Sequence, residues 1–453
     1  MGRIFDIREF GAVGDGATEC TPALQTAIDR CAEAGGGTVL VEEGTYLFYP
    51  VRLRSHVRLE VAVNTVLRAG SDPAKYPEIA PNPVWRVEYA LRKNRRYVIY
   101  AEGAEDVSIG GEGTIDFNGM DFIKRDDSIP ELGAAHWVRK DDQRIPGKCL
   151  WFAGCRNVRL ENLTLLNAPG WFTWFLRCEN VKVRGVTINC DLRMPNSDGI
   201  HIGSCRDVIV SDCNIRTGDD CIVIRSMQEQ FERPIPCENI TVANCILQSS
   251  TMAVRIGWTR DYQVRNCVFG NLVVKKSRRG ICLTCPAFSE VRQYDPPRYP
   301  DTPKPYPDDE PFAIENLSFS NIEMETLYEC FGIFLADAEK VDYVRNISLN
   351  NFRARSGLFP AIVASEHHHV SNIGFNHVEL FIRPMGFDGA YILRDGEKIP
   401  SRYSPASLRP GATGSSSNGI LVNCAEEVSF NDLRIRRLPE ATGQDPRGQS
   451  AGS

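Results

Sequence analysis

The chain has 453 residues, 42% of them hydrophobic, enough for a large core, yet no apolar run reaches the roughly 18 residues that a membrane-spanning helix needs. Its 52 basic and 58 acidic residues leave a net charge of −6, the wrong sign for a chain built around nucleic acid. Sixteen cysteines would suit a disulfide scaffold, but the opening MGRIFDIREFG has no apolar signal core, so the expected compartment is the reducing cytoplasm unless a signal has been removed.

The first motif, GAVGDGAT at 11–18, has the glycines of a phosphate loop but not its Gly-Lys-Ser/Thr ending, and reads as a turn. TPALQTAIDRCAEAGGG follows at 21–37. Its apolar residues fall at helical spacing and three glycines end it, which predicts a capping helix over 21–34. A repeat then takes over. AEDVSIGGEGTI begins at 104, CRNVRLENLTL at 155, CENVKVRGVTI at 178, CRDVIVSDCNI at 205 and CENITVANCIL at 237. IENLSFSNIEM at 314, VRNISLNNFRA at 344 and VSNIGFNHVEL at 370 continue it. Short alternating Val/Ile strands at this period describe a parallel β-solenoid, one coil per repeat. The recurring Cys is expected as a small buried hydrophobe and the recurring Asn as a turn residue.

The stretches 116–147, 227–236, 286–312 and 384–418 break the repeat and are expected as insertions that build one face into a cleft. The chain therefore reads as one all-β solenoid domain over 1–435 with a disordered tail over 436–453. Cys282 and Cys285 form a single CxxC with no histidine near, and the HHH at 367–369 reads as a solvent-facing loop. Neither predicts a metal, and no cofactor is expected.

Aligning coils sets a register. DGIHIG starts at 198 and DCIVIR at 220, MAVRIG at 252, and GICL follows at 280. Ile200, Ile222, Val254 and Ile281 then stack inward, and His201, Val223, Arg255 and Cys282 stack outward. Asp198 and Asp220 take equivalent places on neighbouring coils, with Asp219 beside them, and Gly218 permits the bend that turns Asp219 and Asp220 toward one open groove. Three crowded carboxylates cannot all ionise freely, so at least one pKa should rise. A proton donor beside ionised bases is what glycoside hydrolysis needs. Turn aspartates in a polar ladder, or calcium ligands, are the competing readings of the same residues.

At these residues the chain resembles the polygalacturonase family, glycoside hydrolase family 28. PNSDGIHIGSCRDVIVSDCNIRTGDDCIVI at 195–224 is similar to the centre of that family, FGAVGDGATECTPALQTAIDRC to its N-terminal cap, and GEGTIDFNG and PGWFTWFLRCENVKVRGVTI to its coils. The resemblance implies a right-handed parallel β-helix and an O-glycosyl hydrolase that inverts its substrate. It puts the Asn-Thr-Asp motif on Asn196, Ser197 and Asp198. It makes Asp219 the general acid and Asp198 and Asp220 the residues that activate water. The family's Gly-His-Gly falls on Thr251, Met252 and Ala253, and the Arg-Ile-Lys that grips a galacturonate carboxylate falls on Cys282, Leu283 and Thr284. His201, Arg255 and Arg279 are left as polar candidates for substrate binding, with Asn196, and Trp171, Trp174 and above all Trp258 as stacking surfaces. The expected substrate is a pectin-type oligosaccharide or polysaccharide, with galacturonate, rhamnose or another α-linked sugar at the cut bond and exo action. A sugar-binding β-helix without catalysis, and a lyase or transglycosylase on the same scaffold, are the alternatives.

Overall fold

The computed structural model describes residues 3–80, 95–125, 137–140, 144–228, 233–285, 310–337, 339–383, 387–388, 391–394, 397–400 and 419–439. The chain winds into a right-handed parallel β-helix. One face is an 11-stranded parallel sheet that runs, coil by coil, from Val51–Arg52 through Trp171–Leu176, Ile200–Gly203, Ile222–Arg225, Met252–Ile256 and Arg279–Cys285 to Leu421–Asn423. Most of the remaining strands form a second, 21-stranded parallel sheet that bends round the other sides.

The register follows the alternation of the sequence. Ile200 pairs with Ile222, Ile222 with Val254 and Val254 with Ile281, and all four are fully buried. Each such side chain contributes about 1.5–3 kcal/mol by leaving water, and one continuous core cluster takes in nearly every coil. The repeated cysteines sit inside it: Cys155, Cys178, Cys205 and Cys237 are at most 1% exposed, and all sixteen are free thiols.

The repeated asparagines make the corners. Asn157, Asn180, Asn239, Asn266, Asn316, Asn346 and Asn372 all have φ between 53° and 60°, a left-handed conformation that Asn adopts more readily than most residues. Stacked at one corner, they bond to each other: Asn266 Nδ2 to Asn239 Oδ1 (3.2 Å), Asn316 to Asn266 (3.0 Å) and Asn346 to Asn316 (2.9 Å). The ladder satisfies side chains that a coil alone would leave to solvent.

Helix α1, Thr21–Glu33, covers the first coil, with Pro22 in its first turn and Ala23, Leu24, Ala27, Ile28 and Cys31 buried beneath it. That hides a strand edge which would otherwise invite pairing. GAVGDGAT is a turn and short strand, in which Asp15 accepts N–H bonds from Ala17 and Thr18. At the far end the last strand runs to Arg437, two residues past the expected domain boundary, and 440–453 lie outside the described residues. So do most of the expected insertions: 126–136 and 141–143, 229–232, 286–309, and much of 384–418. Within the last of these, Phe387–Asp388, Tyr391–Arg394 and Glu397–Pro400 pair antiparallel, which breaks the coil. No described helix is long and apolar enough to cross a membrane.

Candidate active site

Asp198, Asp219 and Asp220 meet on two consecutive coils, each with a carboxylate oxygen within 4.8 Å of the others. Ladder bonds fix their spacing: Phe172 N–H donates to the Asp198 carbonyl (2.8 Å) and Gly199 N–H to the Asp220 carbonyl (2.9 Å). The Gly218–Asp219 turn is held from behind. Thr217 Oγ1 and Ser249 Oγ donate to the Asp219 carbonyl at 2.6 and 2.7 Å, Ser250 Oγ donates to the Gly218 carbonyl at 2.6 Å, and Gly218 N–H donates to Ser197 Oγ at 2.9 Å. Gly218 is required by this crowding rather than by a left-handed bend, because a Cβ there would meet the Met194 carbonyl oxygen at 2.2 Å.

The carboxylates are not in an open groove. Asp198, Asp219 and Asp220 are only 2, 8 and 4% exposed. Thr251 Oγ1 lies 3.0 Å from Asp219 Oδ1 and 2.6 Å from Asp220 Oδ1, and Met252 N–H donates to Asp220 Oδ1 at 3.1 Å. Arg255 Nε donates to Asp220 Oδ2, and its Nη2 lies 3.7 Å from Asp198 Oδ2. Burial pushes the Asp220 carboxyl up; Arg255 pulls it down and Asp219 pushes it up again, leaving it above the usual 3.8. Sequence reasoning found the three carboxylates but not Thr251, which stood out only as the place of the first glycine in the family's Gly-His-Gly. The hydroxyl run Ser249–Ser250–Thr251, in register with the Gly-Asp-Asp turn on the preceding coil, was the available signal.

The outward column His201, Val223, Arg255, Cys282 is paired as expected, but what surrounds it changes the roles. His201 is fully buried between the rings of Trp171 (4.8 Å) and Trp174 (4.5 Å), so it does not reach a substrate. Neither ring nitrogen has a hydrogen-bond partner. Burial, then Arg255, Arg225 and Lys148, lower its pKa well below 6.5, and it is neutral. Trp174 is likewise fully buried, against Trp151, and offers no sugar platform. Trp258 is half-buried and lies over the Arg255 guanidinium at 4.5 Å. Arg279 is spent on the buried Glu329 at 2.7 Å. Asn196 is half-buried in a left-handed turn, φ 53°, two residues before Asp198. Of the HHH run, His368 is buried and its Nδ1 accepts the Ser365 N–H, so the run is not wholly solvent-facing. A surface cavity of about 500 Å³ lies elsewhere, over Glu323, Arg353 and Glu379. Arg353 bridges the two glutamates there, which is the pattern of a solvated ladder face.

The family model for glycosyl hydrolases family 28 matches residues 78–281, which hold all three aspartates. Over those residues the chain is similar to family 28. A second model, rhamnogalacturonase A/epimerase, pectate lyase-like, matches 4–59. A Vitis vinifera family relative named "Probable polygalacturonase" is 31% identical over 228 residues, 49% of this chain and 44% of that protein. An exopolygalacturonase of Platanus acerifolia is 23% identical over 400 residues, 85% of this chain and 92% of its own length. The chain spans a little under half the length of the first curated relatives it matches. Among solved structures, the exopolygalacturonase of Thermotoga maritima superposes with a TM-score of 0.70 at 20% identity, over 96% of this chain and 91% of that one. The polygalacturonase of Erwinia carotovora gives 0.58 at 16%, over 94% and 95%. These likenesses to solved structures carry the parallel β-helix fold.

Proposed function

We propose that this family 28-like protein is a glycoside hydrolase that removes α-linked sugars from the ends of pectin-type saccharides. Asp219 donates a proton to the leaving oxygen, and Asp198 and Asp220 take a proton from the attacking water. The observation that carries this is the convergence of the three carboxylates from two coils, with oxygens inside 4.8 Å. Such crowding separates their protonation states, which acid–base catalysis requires. Asp219 is the least covered of the three, which suits the group that meets the substrate. The exopolygalacturonase names of the relatives support action at chain ends. Inversion rests on the family resemblance. The carboxylate spacing is shorter than the roughly 6.5–9.5 Å usual between acid and base in inverting enzymes, so the released anomer is the deciding measurement.

The sugar at the cut bond is neutral or deoxy, such as rhamnose or galactose, rather than galacturonate. Cys282, Leu283 and Thr284 carry no charge, and Arg279 is neutralised by Glu329.

The test is incubation of the protein and its Asp219→Asn variant with oligosaccharides ending in galacturonate, rhamnose or galactose, following reducing ends and, by NMR, the first anomer formed. Release of a neutral terminal sugar is expected, reduced about 10²–10⁴-fold in the variant, the usual weight of a positioned acid. Full activity in the variant would remove Asp219 as the acid. Binding without turnover on every saccharide would leave a sugar-binding β-helix, and an unsaturated product would indicate a lyase.

A further inference from the structure

We infer that Arg255 is a positioning residue that holds Asp220 and Asp198 as the ionised, water-activating pair, and that it is not a clamp for a substrate carboxylate. The inference rests on the hydrolase reading above and assigns the cation that, among the described residues, lies between these carboxylates.

Three observations carry it. The guanidinium is committed: Nε donates to Asp220 Oδ2, and Nη2 lies 3.7 Å from Asp198 Oδ2, so it touches the carboxylates of both coils. Its other side is closed by the Trp258 ring at 4.5 Å, and the residue is 8% exposed. A planar fork that already serves two carboxylates inside protein has little left to offer a third from the substrate. Finally, the nearest alternative cation is not one. His201 faces Asp198 with Nδ1 at 3.9 Å, but it is neutral for the reasons given above.

The position follows from the fold. Arg255 lies on the strand Met252–Ile256, paired with Val223 on the coil before and Cys282 on the coil after. Small apolar neighbours on both sides leave the long side chain room to reach back toward the Gly-Asp-Asp turn. The titratable or charged groups facing this cluster are Asp198 and His201 from one coil, Asp219, Cys221 and Arg225 from the next, and Asp261, Cys282 and Lys148 around them. Burial lowers the Arg255 pKa, but Asp220, Asp198 and Asp219 outweigh it, so the net shift is upward and the cation persists at any working pH.

The experiment compares wild type with Arg255→Ala and Arg255→Lys by two readouts. The first is isotope-edited infrared spectroscopy of protein labelled with [13C]aspartate, which reports protonated carboxyls whether or not the protein turns over a substrate. Near pH 5.5, Arg255→Ala should gain protonated aspartate signal over wild type, and Arg255→Lys, which keeps the charge, should gain less. The second is the pH profile of kcat/KM on a neutral-ended oligosaccharide, with the weaker turnover expected of a uronate-ended one followed beside it. The acidic limb should move to higher pH in Arg255→Ala, with kcat/KM at acidic pH reduced about 10²-fold or more, the weight of a lost general base, and recovering as pH rises. The effect should be equal on the two substrates. If Arg255→Ala does not fold, Arg255→Lys decides: a displaced acidic limb with the substrate ratio unchanged supports the inference. Unchanged carboxyl spectra in the folded variants, or a rise in KM confined to uronate substrates with the pH profile intact, would overturn it. Shifted spectra in a protein that hydrolyses no glycoside would uphold the role of Arg255 while removing the hydrolase reading.

Discussion

Replacing Thr251 by valine removes one hydroxyl and keeps the shape of the side chain. The hydroxyl has a single proton and two carboxylate oxygens within reach, Asp220 Oδ1 at 2.6 Å and Asp219 Oδ1 at 3.0 Å. The shorter contact marks Asp220 as the favoured acceptor. Without it, Asp220 Oδ1 keeps the Met252 N–H and Oδ2 keeps Arg255, so one of three donors is lost at a residue 4% exposed. A hydrogen bond to a buried charge is worth about 1.5–3 kcal/mol. Stability at neutral pH should fall by that amount in chemical denaturation, with an unchanged denaturant slope. If the whole loss is felt in the transition state, kcat/KM falls roughly 10- to 150-fold. The Thr251 hydroxyl favours the ionised form of Asp220, so its removal should carry the Asp220 carboxyl further up and move the acidic limb of activity to higher pH. Thr251→Ser should restore most of both effects. A valine variant with wild-type stability and an unmoved pH profile would refute the bridging role.

Two further perturbations follow from buried charge. His201 is neutral in the folded protein, while its unfolded counterpart takes up a proton below about pH 6.5, so stability is lost as pH falls below that value, by about 1.4 kcal/mol per pH unit. His201→Phe keeps the stack on Trp171 and Trp174 and should flatten this part of the pH dependence when denaturation midpoints at pH 7 and pH 5 are compared; equal slopes in the two proteins would exclude a buried neutral imidazole. Arg225 holds Asp261 with three contacts of 2.7–2.9 Å, and the residues are 6% and 1% exposed. Arg225→Met should destabilise by about 3–5 kcal/mol, while Arg225→Met with Asp261→Leu should recover most of that. Burial already raises the Asp261 carboxyl, so the single variant should be worst at high pH and improve as pH falls and Asp261 is neutralised. A double variant no better than the single would show that the pair adds net stability.

Much of this was legible because a solenoid repeats its physics. The stacking of Ile200, Ile222, Val254 and Ile281 was readable to the residue once the ten residues at 227–236 were set aside, since a slip of one would turn every Ile outward. The meeting of Asp198 with Asp219 and Asp220 followed from the same arithmetic. What escaped was whatever depends on neighbours outside the repeat. The partner of Arg279 is Glu329, fifty positions on and in a break between strands. The burial of His201 comes from two tryptophans on the preceding strand, whose spacing reads equally well as a sugar platform. Exposure of the carboxylates was the third miss, because a column of outward positions gives no sign of what lies over it.

The departure from the family 28 motifs can be placed on one side of the proposed chemistry. Protonating a glycosidic oxygen and activating water require carboxylates in two protonation states, and the groups that arrange this are present: three aspartates, the Thr251 hydroxyl and the Arg255 cation. Gripping a uronate requires a cation that the catalytic carboxylates have not already claimed. Two unit charges 4 Å apart in a partly buried site interact by about 4 kcal/mol. A uronate anion beside Asp198 and Asp220 would therefore be repelled unless a free cation met it. Arg255 is committed to those same carboxylates and Arg279 to Glu329, whereas a neutral sugar meets no such barrier. Restoring a cation at Cys282 or Thr284 should therefore change which sugar is accepted without changing how its bond is broken. Loss of hydrolysis on every sugar, in a variant that still folds, would show instead that the two sides are coupled.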